Sequence, residues 1–311
     1  MRRRIFLALA PALLILSIGC DFEDFGPSER YPEDFHYSYP LKPGGRLTVE
    51  NFNGSIEIAS WDQNSVDISG VKYAGTPELR DAIKIDIVNT PDSIHVRTVR
   101  PSERRGNMGA KYVIKVPRQT ELERITSSNG GIRVTDIEGA ARLKSSNGGI
   151  HATNMKGNID AQTSNGSIEV MDLDGGAVLK TSNGRVRADG VKGSLEANTS
   201  NGGITVHLAK SEAGKPVKLE TSNGGIDLTM DQNNQNDVYA STSNSGITVH
   251  VPASLGARVR AHTSNGSIST GDFEVKVQGQ ISKHSLEGTI GSGGALLDLS
   301  TSNGSIHLEK L

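Results

Sequence analysis

The chain has 311 residues, 36 of them glycine, with 4% aromatics and a single cysteine. One cysteine excludes an intrachain disulfide and a cysteine-rich metal centre. Lys+Arg 33 against Asp+Glu 35 gives a formal net charge of −2, without the basic bias of a dedicated nucleic-acid binder.

The chain opens Met1-Arg2-Arg3-Arg4 and then runs apolar over residues 5–18, the build of a secretory signal. That run is shorter than the roughly 20 residues a membrane-spanning helix needs. Leu16-Ser17-Ile18-Gly19-Cys20 resembles the lipobox of bacterial lipoproteins. Gly19 and Cys20 match, whereas Ser17 stands where leucine is usual and Leu16 lies one position early. The resemblance implies a signal peptide over 1–19, cleavage before Cys20, a diacylglycerol thioether on its sulfur and an acyl chain such as palmitate on the new terminus. Several acyl chains anchor durably where one binds marginally. The other reading is an ordinary signal peptide with a chance cysteine at the cut.

Residues 20–44 are acidic and contain Pro27, Pro32, Pro40 and Pro43, the composition of a tether. Phe22, Phe25, Tyr31, Phe35, Tyr37 and Tyr39 interrupt it. They fit either a binding strip or a segment that packs across the end of a folded domain. A first coil is expected next, with Leu47 and Val49 before Asn53-Gly54, Ile56 and Ile58 after, and Trp61 beyond. Residues 66–73, 83–88, 94–99 and 111–116 alternate like strands, 76–82 suits a helical turn, and 102–108 suits an exposed loop. Residues 45–118 thus read as the first coil and an irregular β cap. A separate sandwich domain is the alternative.

From there the chain repeats. The marker asparagines are Asn129, Asn147, Asn165, Asn183, Asn201, Asn223, Asn244, Asn265 and Asn303, each but Asn244 followed directly by glycine. Three residues on stand Ile132, Ile150, Ile168, Val186, Ile204, Ile226, Ile247, Ile268 and Ile306. Four residues before the later markers stand Leu143, Ala161, Leu179, Ala197, Leu219, Ala240, Ala261 and Leu299. Polar residues fill the positions between, so the period is two and helical spacing fails. Asn-Gly is a hairpin signal, but hairpins need no fixed residue type per column. Stacked coils do, because each column becomes a ladder. The fold class expected is all-β: a parallel β-helix or β-solenoid with about 18–22 residues per coil over 119–311, forming one domain with 45–118.

Narrow coils suit Ile, Val, Leu and Ala, and after Pro117 only Tyr239 and Phe273 are aromatic. The asparagine column is either a ladder of amide hydrogen bonds or a row of left-handed corners. A Ser/Thr column two residues earlier, from Thr163 to Thr301, should face inward. The final spacing of 38 reads as two turns, the unmarked one near His284-Ser285-Leu286, and the terminal strand is expected to leave a sheet edge in need of a cap or partner.

With 47–58, Trp61 and Tyr112-Val113-Ile114-Lys115-Val116-Pro117, residues 45–311 resemble a bacterial family of domains of unknown function that is named for adhesion. Members are often lipoproteins with a right-handed single-stranded β-helix. Ser-Asn-Gly here replaces the family's common Ser-Gly-Asp corner, and no catalytic or ligand residue is carried over by the resemblance.

No catalytic, cofactor or metal residues are nominated. Asp160, Asp172, Asp174, Asp189 and Asp227 are scattered, and His151, His207, His250 and His307 share no single column. The expectation is a non-enzymatic, lipid-anchored envelope protein, an adhesin-like or scaffold module facing the periplasm or exterior. Its partners would be the membrane through Cys20 and an envelope protein or glycan, with no nucleic acid. One alternative is a polysaccharide-acting enzyme with a groove near the cap, where Glu103, Arg104, Arg105 or Asp92 meets Trp61. The other is an accessory protein of envelope-stress signalling.

Overall fold

The computed structural model describes residues 31–102, 106–209, 214–231, 235–278 and 282–311. The signal segment and Cys20 lie outside them. The described chain is all-β apart from one short helix, and its strands form two long sheets of 13 and 14 strands. Each regular coil gives one strand to each sheet. In the Asn165 coil, Ile168–Asp174 belongs to the first sheet and Ala177–Lys180 to the second. Successive coils pair in parallel and in register: Ile150 faces Ile168, Ile168 faces Val186 and Val186 faces Ile204. In the second sheet Ala141 faces Ile159, then Ala177, then Leu195.

The alternation in sequence explains the packing. Ile168, Val170, Leu173 and Leu179 are fully buried between the sheets, while Glu169 and Lys180 point outward. A parallel stack places like residues above one another, so one apolar residue type per column suffices to build a continuous core. Trp61 departs from its column. Ile137 and Leu173 are buried there, whereas Trp61 is half-buried and its indole N–H donates to the Ser65 carbonyl at 2.8 Å.

At the N-terminal end the first coil is second in the stack. Strand Gly45–Asn51 lies between Ser93–Val99 and Thr120–Ser127, and Ile56–Trp61 lies between Met108–Pro117 and Ile132–Thr135. The intervening chain closes that end with antiparallel strands. Ser65–Ala74 pairs with Met108–Pro117, and Lys84–Thr90 pairs with Ser93–Val99. Helix Pro77–Asp81 sits in this cap, with the Thr76 hydroxyl accepting from the Leu79 N–H.

Residues 31–40, within the proline-bearing acidic stretch, form strand Tyr31–Pro40, antiparallel to Ser65–Ala74. Alternation supplies the reason: Phe35, Tyr37 and Tyr39 pack on the core. Phe35 meets Tyr112 edge-on with centroids 5.3 Å apart, and the buried Tyr112 hydroxyl lies 2.6 Å from that of Thr98.

The C-terminal end corrects two expectations. Strand Ala295–Thr301 lies between Val238–Thr242 and Ala257–Thr263, and Ile306–Lys310 lies between Ile247–Val251 and Ile268–Ser269. The last coil is therefore inserted between two coils that precede it in sequence. The spacing of 38 hides no unmarked turn. Residues 271–294 instead make an antiparallel cap, with Ser285–Ile290 pairing both Ala257–Thr263 and Val275–Val277. The terminal strand Ile306–Lys310 is consequently not the last of its sheet: Ile306 and His307 are paired on both sides, and Leu308, Glu309 and Lys310 on the Ile247–Val251 side.

The corner glycines also have a reason that the sequence reading missed. Left-handed backbone is not used at any marker asparagine; among the described residues other than glycine it occurs at Asp136, Asn154 and Asp172. That column lies seven residues after the marker, and Gly190 continues it. Glycine after the marker is favoured by close stacking at every marker but Asn244, where Ser245 takes the place. A Cβ on Gly184 would stand 1.8 Å from the Gly166 carbonyl oxygen, and one on Gly202 1.9 Å from that of Gly184.

Candidate functional site

The marker asparagines sit on one exposed corner and join into a ladder. Asn147 Nδ2 donates to Asn129 Oδ1 at 2.7 Å, and Asn165, Asn183 and Asn201 each donate to the preceding marker at the same distance. Asn223 and Asn244 continue it at 2.8 and 2.7 Å. Asn303 then donates to Asn244 at 2.9 Å and Asn265 to Asn303 at 2.8 Å. Each internal amide both donates and accepts, so the column is occupied with holding neighbouring coils.

Two residues earlier lies a buried hydroxyl column. Thr181 Oγ1 donates to the Gly166 carbonyl at 2.9 Å and accepts from the Gly184 N–H at 3.2 Å. Ser127 and Ser145 make the same pair of bonds, so the column begins earlier than the threonines suggest. In the first coil Asn51 takes this place, with Nδ2 donating to the Gly54 and Ala110 carbonyls at 3.1 and 2.7 Å.

The outward rows of the first sheet carry a chain of opposite charges. His151 Nδ1 lies 3.1 Å from Glu169, and Arg187 reaches Glu169 at 3.8 Å and Asp189 at 3.2 Å. His207 bridges two carboxylates, with Nδ1 2.9 Å from Asp189 and Nε2 2.7 Å from Asp231. His250 lies between Asp227 at 3.8 Å and Glu309 at 3.4 Å. The bonds to Asp231 and Asp189 raise the His207 imidazole above its ordinary pKa. The bond from His207, with Arg187 beside it, holds the Asp189 carboxyl below its own. Sequence offsets hid this chain, because it shifts from the column four residues after the marker to the column six after, and ends on Asp231, eight after its marker.

On the second sheet the outer face holds two adjoining depressions. One, of about 390 Å³, is lined by residues including Glu121, Arg142, Asn158, Asp160, Ser194 and Lys215. The next, of about 410 Å³, is lined by residues including Glu50, Arg124, Arg142, Lys144, Asp160 and Gln162. Nearby, Lys180 pairs with Glu196 at 2.8 Å, which lowers the glutamate pKa and raises that of the lysine. Among the described residues no group of three or more His, Cys, Asp or Glu side chains is arranged to hold a metal ion. Near the cap, Asp92 pairs with Lys42 at 3.2 Å and the Trp61 indole N–H is bonded to Ser65; residues 103–105 lie outside the described set.

Residues 113–264 match the family model Toastrack DUF4097. That stretch is Toastrack-like. It covers the ladder from Asn129 to Asn244 and stops short of the inserted Asn303 coil. The chain is also similar to two solved bacterial structures. One is a "putative cell adhesion protein" from Clostridium sporogenes ATCC 15579, at 12% identity and a TM-score of 0.23, covering 90% of this chain and 100% of the other. The second is a "putative adhesin" from Bacteroides fragilis NCTC 9343, at 11% identity and a TM-score of 0.38, covering 90% of this chain and 97% of the other. TM-scores this low carry no argument about shared geometry or function. No curated protein matches the chain.

Proposed function

We propose that the chain is a non-enzymatic bacterial envelope protein, lipid-anchored through Cys20, whose coils wind to the right and whose side faces serve as an adhesin-like or scaffold surface. The observation that carries this reading is the division of labour within each coil. Corner amides, buried hydroxyls and core aliphatics hold the stack, while the outward rows repeat along it at about 4.8 Å per coil. A rigid, periodic, polar face suits an extended partner that itself repeats, such as an envelope glycan or another strand-rich protein. The Arg- and Lys-bearing depressions on the second sheet give that face concave positions for such a partner. The anchor rests on the lipobox resemblance. Among the described residues no helix is long and apolar enough to cross a membrane.

The test is an affinity pull-down from envelope fractions with the acylated protein and a Cys20→Ala control. Retention of cells, matrix or a defined envelope partner supports the reading. Turnover of an envelope polysaccharide by the purified protein overturns it in favour of an enzyme. Metabolic labelling with a palmitate analogue tests the anchor separately, and an unlabelled Cys20 would remove it.

A further inference from the structure

The inserted coil, residues 295–310, fills a slot whose two walls are formed by other coils. Leu297, Leu299, Ile306 and Leu308 of this coil are no more than 2% exposed. Thr301 and Asn303 continue the hydroxyl and amide columns, Thr301 Oγ1 donating to the Ser245 carbonyl at 2.7 Å. Without this coil, both walls would present unpaired backbone N–H and C=O groups and apolar side chains. The slot therefore selects for one pattern: spaced aliphatics, a threonine, and an asparagine two residues on. Other coils carry that pattern, but each stacks on a neighbour adjacent to it in sequence. The chain enters the inserted coil through Gly291-Ser292-Gly293-Gly294.

That connection is demanding. It crosses the entry to strand Ala257–Thr263, and Gly291, Gly293 and Gly294 have φ of 58°, 77° and 150°. A Cβ on Gly291 would lie 2.8 Å from the Leu255 carbonyl oxygen, and one on Gly294 2.7 Å from that of Gly256. Folding back into the same chain thus needs a tight glycine crossing. The slot's recognition of the coil, by register, ladder and core, is indifferent to which copy supplies it.

We propose that two copies of this chain associate by exchanging these coils, residues 295–310 of each filling the slot between the Asn244 and Asn265 coils of the other. Every contact of the coil is reproduced in the exchange, so its cost reduces to association and to the changed hinge, the general reason swapped dimers are accessible. The proposal does not depend on the lipid anchor or on any ligand.

Thr248 and His307 are register partners across one wall of the slot, so cysteines there lie within disulfide reach. On a Cys20→Ala background, Thr248→Cys and His307→Cys chains are mixed at high concentration, warmed, cooled and oxidised. The expected result is a covalent dimer in the mixture, well above that in either variant alone. Adding Gly293→Val to both chains strains the fold-back and raises the dimer share. Light scattering on the Cys20→Ala chain with Thr248 and His307 intact supplies an independent measure, a dimer that grows with concentration. A purely monomeric chain, or a dimer that forms no cross-link between the two cysteines while one chain carrying both closes within itself, overturns the proposal.

Discussion

Asn303 donates to Asn244 at 2.9 Å across 59 residues of chain, although Asn265 is much nearer to Asn244 in sequence. Asn265 in turn donates to Asn303 at 2.8 Å. The ladder thus passes through the coils in an order that the chain does not follow. Its eight amide bonds still run without a gap.

An internal ladder amide has two partners and an end amide has one. Asn183→Ala removes a bond to Asn165 and a bond from Asn201, whereas Asn129→Ala removes only the bond from Asn147. At about 0.5–1.5 kcal/mol net per hydrogen bond, the internal change should cost about twice the terminal one. Thermal unfolding of the two variants side by side checks this ratio, and equal losses would show that the amides act only as local corner formers.

Much of this architecture was legible in the sequence because period two and a fixed marker are local signals. Ile168 above Ile150, and Ala177 above Ile159, follow directly from alignment of the repeats. The order of the last coils was not legible. A marker says that a coil stacks on some neighbour, and Asn303 satisfies that equally well beyond Asn265 or before it. The same limit applies to the first coil, where Gly45–Asn51 lies between strands that both come later in the chain. The His207 bridge escaped for a different reason. Asp189 and His207 both stand six residues after their markers, but Asp231 stands eight after its own, and only the stacking brings the three together.

The glycine after the marker is set by stacking distance, and its neighbour is not. Gly166→Ala places a Cβ 2.1 Å from the Gly148 carbonyl oxygen, backbone that cannot yield without separating coils. Gly131→Ala meets nothing closer than 3.4 Å. The first substitution should cost at least the about 1–3 kcal/mol typical of overpacking, and the second less than about 0.5 kcal/mol. Urea midpoints for the pair measure the contrast.

The hydroxyl column should distinguish shape from chemistry. Thr181→Val keeps the volume but leaves the Gly166 carbonyl and the Gly184 N–H without their partner in a buried corner. The expected loss is about 1–3 kcal/mol. Thr181→Ser keeps both bonds, as Ser145 does naturally, and should retain most of the stability. A valine variant as stable as the serine variant would assign the column to packing alone.

His207 makes the stack sensitive to pH. Its folded pKa is raised by Asp231 and Asp189, so its contribution is full below the unfolded value of about 6.5 and is lost as pH rises through the folded value. The Asp189 carboxyl is lowered by His207 and Arg187, so its share is full above its unfolded value of about 3.9 and is lost as pH falls through the folded one. The bridge therefore stabilises most between about pH 4 and 6.5. With the imidazole 40% exposed, solvent screening keeps the effect below about 1 kcal/mol. His207→Gln should flatten the fall in melting temperature as the pH rises from about 6 to 8, where the charged imidazole is being lost. The imidazole resonances of the unsubstituted chain should titrate above the ordinary histidine value. A His207 titration at or below that value, or an unchanged stability profile in His207→Gln, would remove the bridge from the forces that hold these coils together.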